Sequence, residues 1–173
     1  MQLRYSTALA SLIGAPAFAA GLSVNVEVPR INTAEYHRPY VAVWVEKADQ
    51  SVASHLAVWY DIRTRDNAAG EGTKWLKDLR QWWRRGGREL QMPVDGVSGA
   101  TKPVGTQTLA FTEGRGPFAK LPAGDYKLMV EAAREGGGRE VVSVPFTWPS
   151  AKAQQLQARG SEELGLVAVE LKP

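Results

Sequence analysis

Three observations predict an all-β protein, an immunoglobulin-like antiparallel β-sandwich of about seven strands with one short amphipathic helix. Apolar and polar residues alternate in one short run after another, which is the period of a half-buried strand. Glycine, proline, asparagine and aspartate gather between those runs, where the chain has to turn. Apolar residues at helical spacing dominate one stretch alone, too little helix for alternating α and β layers.

The first residues, MQLRYSTALASLIGAPAFAAG, place Arg4 ahead of an apolar run from Ala8 to Ala15 and close on Ala17-Phe18-Ala19. A basic start, a short apolar stretch and a small-x-small ending define a cleavable signal peptide. The apolar run is too short to span a bilayer, and Pro16 interrupts it. Residues 1–19 are therefore expected to be removed, leaving a mature periplasmic chain that begins at Ala20. With no second long apolar segment, residues 20–173 are expected to form a single β-sandwich domain that does not span the membrane.

Next, GLSVNVEVP alternates Leu22, Val24, Val26 and Val28 against polar partners. RPYVAVWVEK places Val41, Val43 and Val45 on one face. HLAVWYDI places Leu56, Val58, Tyr60 and Ile62 on one face, and the polar ADQSVAS between the two makes them a hairpin. TQTLAFT carries Leu109 and Phe111, GDYKLMVEA carries Tyr126, Leu128 and Val130, and EVVSVPFTW carries Val142, Val144, Phe146 and Trp148. REGGGRE is the glycine loop joining the last pair. ELGLVAVELK supplies a final strand through Val167, Val169 and Leu171, and SAKAQQLQARGSEE before it reads as a polar link or one short helix. Val43, Val58, Leu128, Val130, Val144 and Phe146 are expected in one core between the sheets.

The helical stretch is TKWLKDLRQWWRRGG, where Trp75, Leu76, Leu79, Trp82 and Trp83 share a stripe. Thr73 is its expected N-cap, Arg84 and Arg85 suit its C-terminus, and Gly86 and Gly87 end it. Its tryptophans either staple the helix to a sheet or turn one ring toward a planar ligand.

Composition excludes several chemistries. A 173-residue chain that is 44% hydrophobic and 23% charged can bury a real core. It has no cysteine, which rules out disulfides, thiol catalysis, iron–sulfur ligation and thioether haem attachment. The formal charge of +3 is spread along the chain and does not imply nucleic acid. His37 and His55 are the only histidines and form no closely spaced pair, so no metal site is expected.

What remains is DGVSGATKPVG, Asp95 to Gly105. Pro93 and Pro103 bracket it and deny helix, while Gly96 and Gly99 permit backbone angles that other residues avoid; an exposed loop is expected. Read as a plain turn, Asp95 and Ser98 close small side-chain-to-backbone bonds. Yet DGVSGAT resembles the acceptor motif of flavin-carrying proteins, such as the flavinylated subunits of the sodium-pumping NADH:quinone oxidoreductase and its Rnf relatives. In those proteins the last threonine of a Ser/Thr-Gly-Ala-Thr run carries FMN through a phosphoester. Asp95, Gly96, Ser98, Gly99, Ala100 and Thr101 match position by position. The resemblance implies FMN bound covalently to Thr101, attached by an external flavin transferase that supplies the base and metal, so the chain would be a carrier and not an enzyme.

A broader likeness runs through RPYVAVWVEK, KWLKDLRQWW, VSGATKPVG and LPAGDYKLMVEAAREGGGREVVSVPFTW. Together these are similar to a family of predicted bacterial periplasmic proteins of unknown function that often carry the same SGAT run. That family is associated with PepSY-type membrane reductases and flavin transferases, which implies electron transfer between a reductase and another acceptor. Arg80, Arg84, Arg85 and Arg88 with Lys102 lie near the motif in sequence, either as a solvated helix end or as partners of the flavin and its phosphate. The alternative is an immunoglobulin-like binding or accessory module whose unmodified loop docks a membrane partner.

Overall fold

The alternating runs become strands because each can bury one face only against another sheet. In the computed structural model, which describes residues 19–62, 72–118 and 121–173, β1 (Gly21–Val28) buries Leu22, Val24, Val26 and Val28 and leaves the residues between them half-exposed. All but the last residue of the expected signal peptide lies outside the described residues.

The chain continues through β2 (Tyr40–Lys47), β3 (Val52–Tyr60), a 3-10 helix (Gly72–Asp78), α1 (Arg80–Arg85), a 3-10 turn (Gly87–Glu89) and β4 (Ser98–Ala100). Then come β5 (Gly105–Thr112), β6 (Gly124–Ala133), β7 (Arg139–Trp148), β8 (Gln154–Arg159) and β9 (Leu166–Lys172). One sheet runs β5-β1-β9-β8 and the other β4-β3-β2-β6-β7. The protein is an all-β sandwich. Every pairing is antiparallel except that of β3 with β4.

Between the sheets, Val24, Val26, Val43, Val45, Leu128, Val130, Val144, Phe146, Val167 and Val169 form one core. A second apolar cluster covers the outer face of the five-stranded sheet, where Ala42, Trp44, Val58, Tyr60 and Met129 meet Leu76, Leu79 and Trp82. The central strands β2 and β6 are thus buried on both faces, which accounts for their nearly continuous burial.

Four expectations need correction. Val58 lies in the outer cluster, not between the sheets. Val58 pairs with Ala42, but farther back along β3 the register slips: Val43 pairs with Ala57 and Trp44 with His55, leaving Leu56 as an extra residue. Such a bulge rotates the strand, sending Leu56 into the sandwich core and Val58, Tyr60 and Ile62 to the outer face.

The helix is also broken. Leu79, at φ −75° and ψ 70°, separates the 3-10 segment from α1, and the buried residues Leu76, Leu79 and Trp82 recur every third position, the repeat of a 3-10 helix. Trp75 falls off that stripe and is 50% exposed. Thr73 does not cap α1, whose first free amides, of Gln81 and Trp82, donate to the buried Glu131 carboxylate on β6 at 3.0 and 2.7 Å.

Two strands escape the sequence pattern, so the sandwich has nine rather than about seven. β8 lies in the segment read as a link or short helix; as an edge strand it half-buries Leu156 and Ala158 and turns glutamines outward. β4 falls inside the motif read as a loop.

Long-range polar contacts fix the hairpin ends. Arg134 makes a two-bonded ion pair with buried Glu163 at 2.9 and 3.0 Å, and Glu163 also accepts the Gly138 N–H at 2.7 Å. A side chain at Gly137 would lie 2.4 Å from the Arg134 guanidinium carbon, so glycine there lets the arginine fold back. Glu140 accepts the backbone N–H groups of Ser161, Glu162, Glu163 and Leu164. Burial works to raise its pKa, but these bonds outweigh burial and hold the carboxyl below its ordinary value.

Candidate functional site

The DGVSGAT segment is a turn followed by a very short edge strand. Gly96, at φ +72°, carries the turn, and the Val97 and Ser98 N–H groups donate to the Val94 carbonyl at 3.1 and 2.9 Å. The Ser98 hydroxyl accepts the Val94 N–H at 2.8 Å, which commits it to the turn. Val97 is buried in the outer cluster. Ser98, Gly99 and Ala100 then run parallel to Val58, Trp59 and Tyr60.

Gly99 is packed so closely that a Cβ would meet the Trp59 indole at 3.3 Å. Asp95 and Ala100 are exposed, and Thr101 is half-buried. The Thr101 N–H donates to the Tyr60 carbonyl at 3.2 Å, so its position is set by the end of β3. Among the described residues its hydroxyl makes no hydrogen bond. Lys102 follows, its ammonium 5.6 Å from the centre of the Trp59 ring. The glycine-rich loop is thus real at Asp95–Val97, but the run that leads to Thr101 is strand. Three residues are too few to display an alternation.

Thr101 stands at one end of the five-stranded sheet. Ala100 pairs with Tyr60, Tyr60 touches Tyr40 edge-on with ring centres 6.4 Å apart, Tyr40 pairs with Ala133, and Ala133 pairs with Arg139. Beside the far part of this row is a cavity of about 520 Å³, walled by Tyr40, Trp75, Asp78, Arg80, Arg139 and the Gly136–Gly138 hairpin. The ammonium groups of Lys74 and Lys77 sit 5.3 and 6.0 Å from the Trp75 ring centre. Trp75 and Arg80 were both visible in the sequence as members of a helix; Tyr40 and Arg139 gave no signal there, because only strand pairing brings them to the same sheet end.

The basic cluster read from sequence is divided. Arg85 pairs with buried Glu46 at 3.4 Å and reaches Gln50, Arg84 bonds the Arg80 carbonyl at 3.2 Å, and Arg88 meets Glu89 at 3.9 Å. Arg84 and Arg85 belong to the end of α1, and Arg88 to the 3-10 turn that follows it. Arg80 faces the cavity and Lys102 the motif.

Each histidine has polar neighbours in the structure. His37 lies beside Glu35 and Glu135 at 3.2 and 3.8 Å. His55 accepts the Trp82 Nε1–H on Nδ1 at 3.0 Å, and burial pushes its pKa below the ordinary value. Among the described residues no group of three or more His, Asp or Glu side chains is arranged to hold a metal. No described helix is long and apolar enough to cross a membrane.

No curated protein and no solved structure matches the chain. Residues 21–166, from the start of β1 to the start of β9, match the family DUF2271, described as a predicted periplasmic protein. The match takes in every strand except the rest of β9, together with the cavity and the DGVSGAT segment: the chain belongs to the DUF2271 family, and the periplasm is its compartment.

Proposed function

We propose that this periplasmic protein carries FMN on Thr101 and passes electrons from a PepSY-type membrane reductase to a second acceptor, as a carrier and not an enzyme. The observation that carries the reading is the Thr101 hydroxyl. Three neighbouring small residues of the motif serve the local structure, since Gly96 makes the turn, Ser98 closes it and Gly99 admits Trp59. Of the motif's two hydroxyls, Ser98 is committed to the turn, and the one that makes no hydrogen bond among the described residues is the one the motif would use.

The surroundings suit the group. Ala100 is exposed and unbranched, leaving room for a flavin transferase to reach the edge strand, and Lys102, the residue after Thr101, supplies a positive charge that suits a phosphodiester attached next to it. The transferase would bring FAD, whose pyrophosphate is cleaved. The Thr101 oxygen bonds to the FMN phosphorus, AMP leaves, and the hydroxyl proton passes to a base of the transferase. Bound in this way, FMN supplies electron transfer that the side chains lack.

A second reading has its own observation: β4 is an edge strand with one side unpaired by any described strand. An unmodified module could dock a membrane partner there by strand addition. Protein taken from its native periplasm separates the two. A flavin spectrum that survives denaturation and is lost in Thr101→Ala supports the carrier; colourless wild type beside an active transferase sinks it and favours docking.

A further inference from the structure

We infer that the cavity beside the Gly136–Gly138 hairpin receives the isoalloxazine ring of the FMN on Thr101, an inference that rests on the carrier reading. The cavity is within reach of the tether. The Thr101 amide is bonded to β3 at Tyr60, and Tyr40, a wall of the cavity, belongs to the next strand. From β4 to β2 is two strand spacings, about 10 Å. An extended ribityl phosphate spans that gap around the sheet end and delivers the ring to the Tyr40 side of the cavity.

The walls also match the ring chemically. Isoalloxazine offers a flat face and a polar edge on which an N–H stands between two carbonyls. The cavity offers Trp75, half-exposed although it is a large aromatic, as a stacking wall. Its lining is mixed: Arg80 and Arg139 are side chains that can donate, Asp78 and Glu135 side chains that can accept. Arg139 is partly occupied by Glu131 at 2.7 Å, whereas Arg80 makes no ion pair among the described residues. A lining with both signs fits an acceptor–donor–acceptor edge better than it fits a simple anion. The site need not be tight, because a short tether holds the ring at about millimolar effective concentration.

Trp75 stacked on the ring quenches flavin emission, and Arg80 at the carbonyl edge stabilises the extra negative charge of the reduced ring. Wild type, Trp75→Ala and Arg80→Gln are each coexpressed with a flavin transferase, and intact mass establishes the adduct before any optical measurement. Trp75→Ala is expected to raise flavin emission several-fold, and Arg80→Gln to lower the flavin potential. The Trp75 indole N–H resonance should also shift between flavinylated wild type and unmodified Thr101→Ala. Trp75 is exposed, so its loss leaves the fold intact, which thermal unfolding checks. Adduct present with emission and the indole resonance unchanged overturns the cavity assignment and spares the carrier; absence of the adduct overturns both.

Discussion

Replacing Glu131 by alanine should cost about 3 kcal/mol of stability. The carboxylate is fully buried at 0% exposure and has three partners: the N–H groups of Gln81 and Trp82, at 3.0 and 2.7 Å, and Arg139 Nη1 at 2.7 Å. Trp82 is fully buried, so its orphaned amide has little access to water; that alone costs about 1–3 kcal/mol. Gln81 is half-buried, and the Arg139 side chain is 37% exposed. Both regain water, which keeps the total toward the low end of the roughly 3–5 kcal/mol seen when a buried pair is broken. For a domain of this size about 3 kcal/mol corresponds to a fall in Tm of about 6–12 °C. Urea unfolding should show the loss at unchanged m, with Glu131→Gln, which keeps one acceptor oxygen, between alanine and wild type. A loss below about 1 kcal/mol for Glu131→Ala would mean that this carboxylate does not hold α1 on the sheet.

Leu128→Ala, in the core between the sheets, should cost about 2–5 kcal/mol in the same assay; near-neutral behaviour would contradict the sandwich core. Because burial lowers His55 in the folded protein from 6.5, the unfolded chain takes up the proton first, so stability should be intact above about pH 6.5 and decline as pH falls below it. His55→Asn, still able to accept from Trp82, should flatten that decline, and an unchanged slope would clear His55. Glu140 lies below its ordinary 4.5 in the fold, so its contribution is present above pH 4.5 and is lost on acidification through the lower folded value; Glu140→Gln should remove this second acid step. Gly137→Ala must push the Arg134 guanidinium aside, and should lower Tm, with the effect largely absent in an Arg134→Ala background.

The sandwich was legible where burial is one-sided. β1 and β7 alternate cleanly, and their inward residues are those the pattern names. β3 misled because its bulge at Leu56 reverses the face halfway along, and a period-two count cannot register one extra residue. β8 was hidden by its glutamines, which an edge strand tolerates. In the helical stretch the spacing of three at Leu76, Leu79 and Trp82 was present in the sequence but merged with the neighbouring tryptophans into a wider stripe. Of the candidate site, the motif residues themselves were readable. The cavity was not, because its walls come from β2, the 3-10 segment, α1 and the β6–β7 hairpin, and pairing between strands distant in sequence brings them together.

The measurement that bears most directly on the proposed carrier is the intact mass of the mature protein after coexpression with an active flavin transferase, followed by peptide mapping. The carrier reading predicts an added mass of one FMN less one water on the peptide holding Thr101, no addition in Thr101→Ala, and modification retained in Ser98→Ala, since Ser98 serves the turn. An unmodified wild-type protein, or an adduct mapped to any other residue, would contradict it.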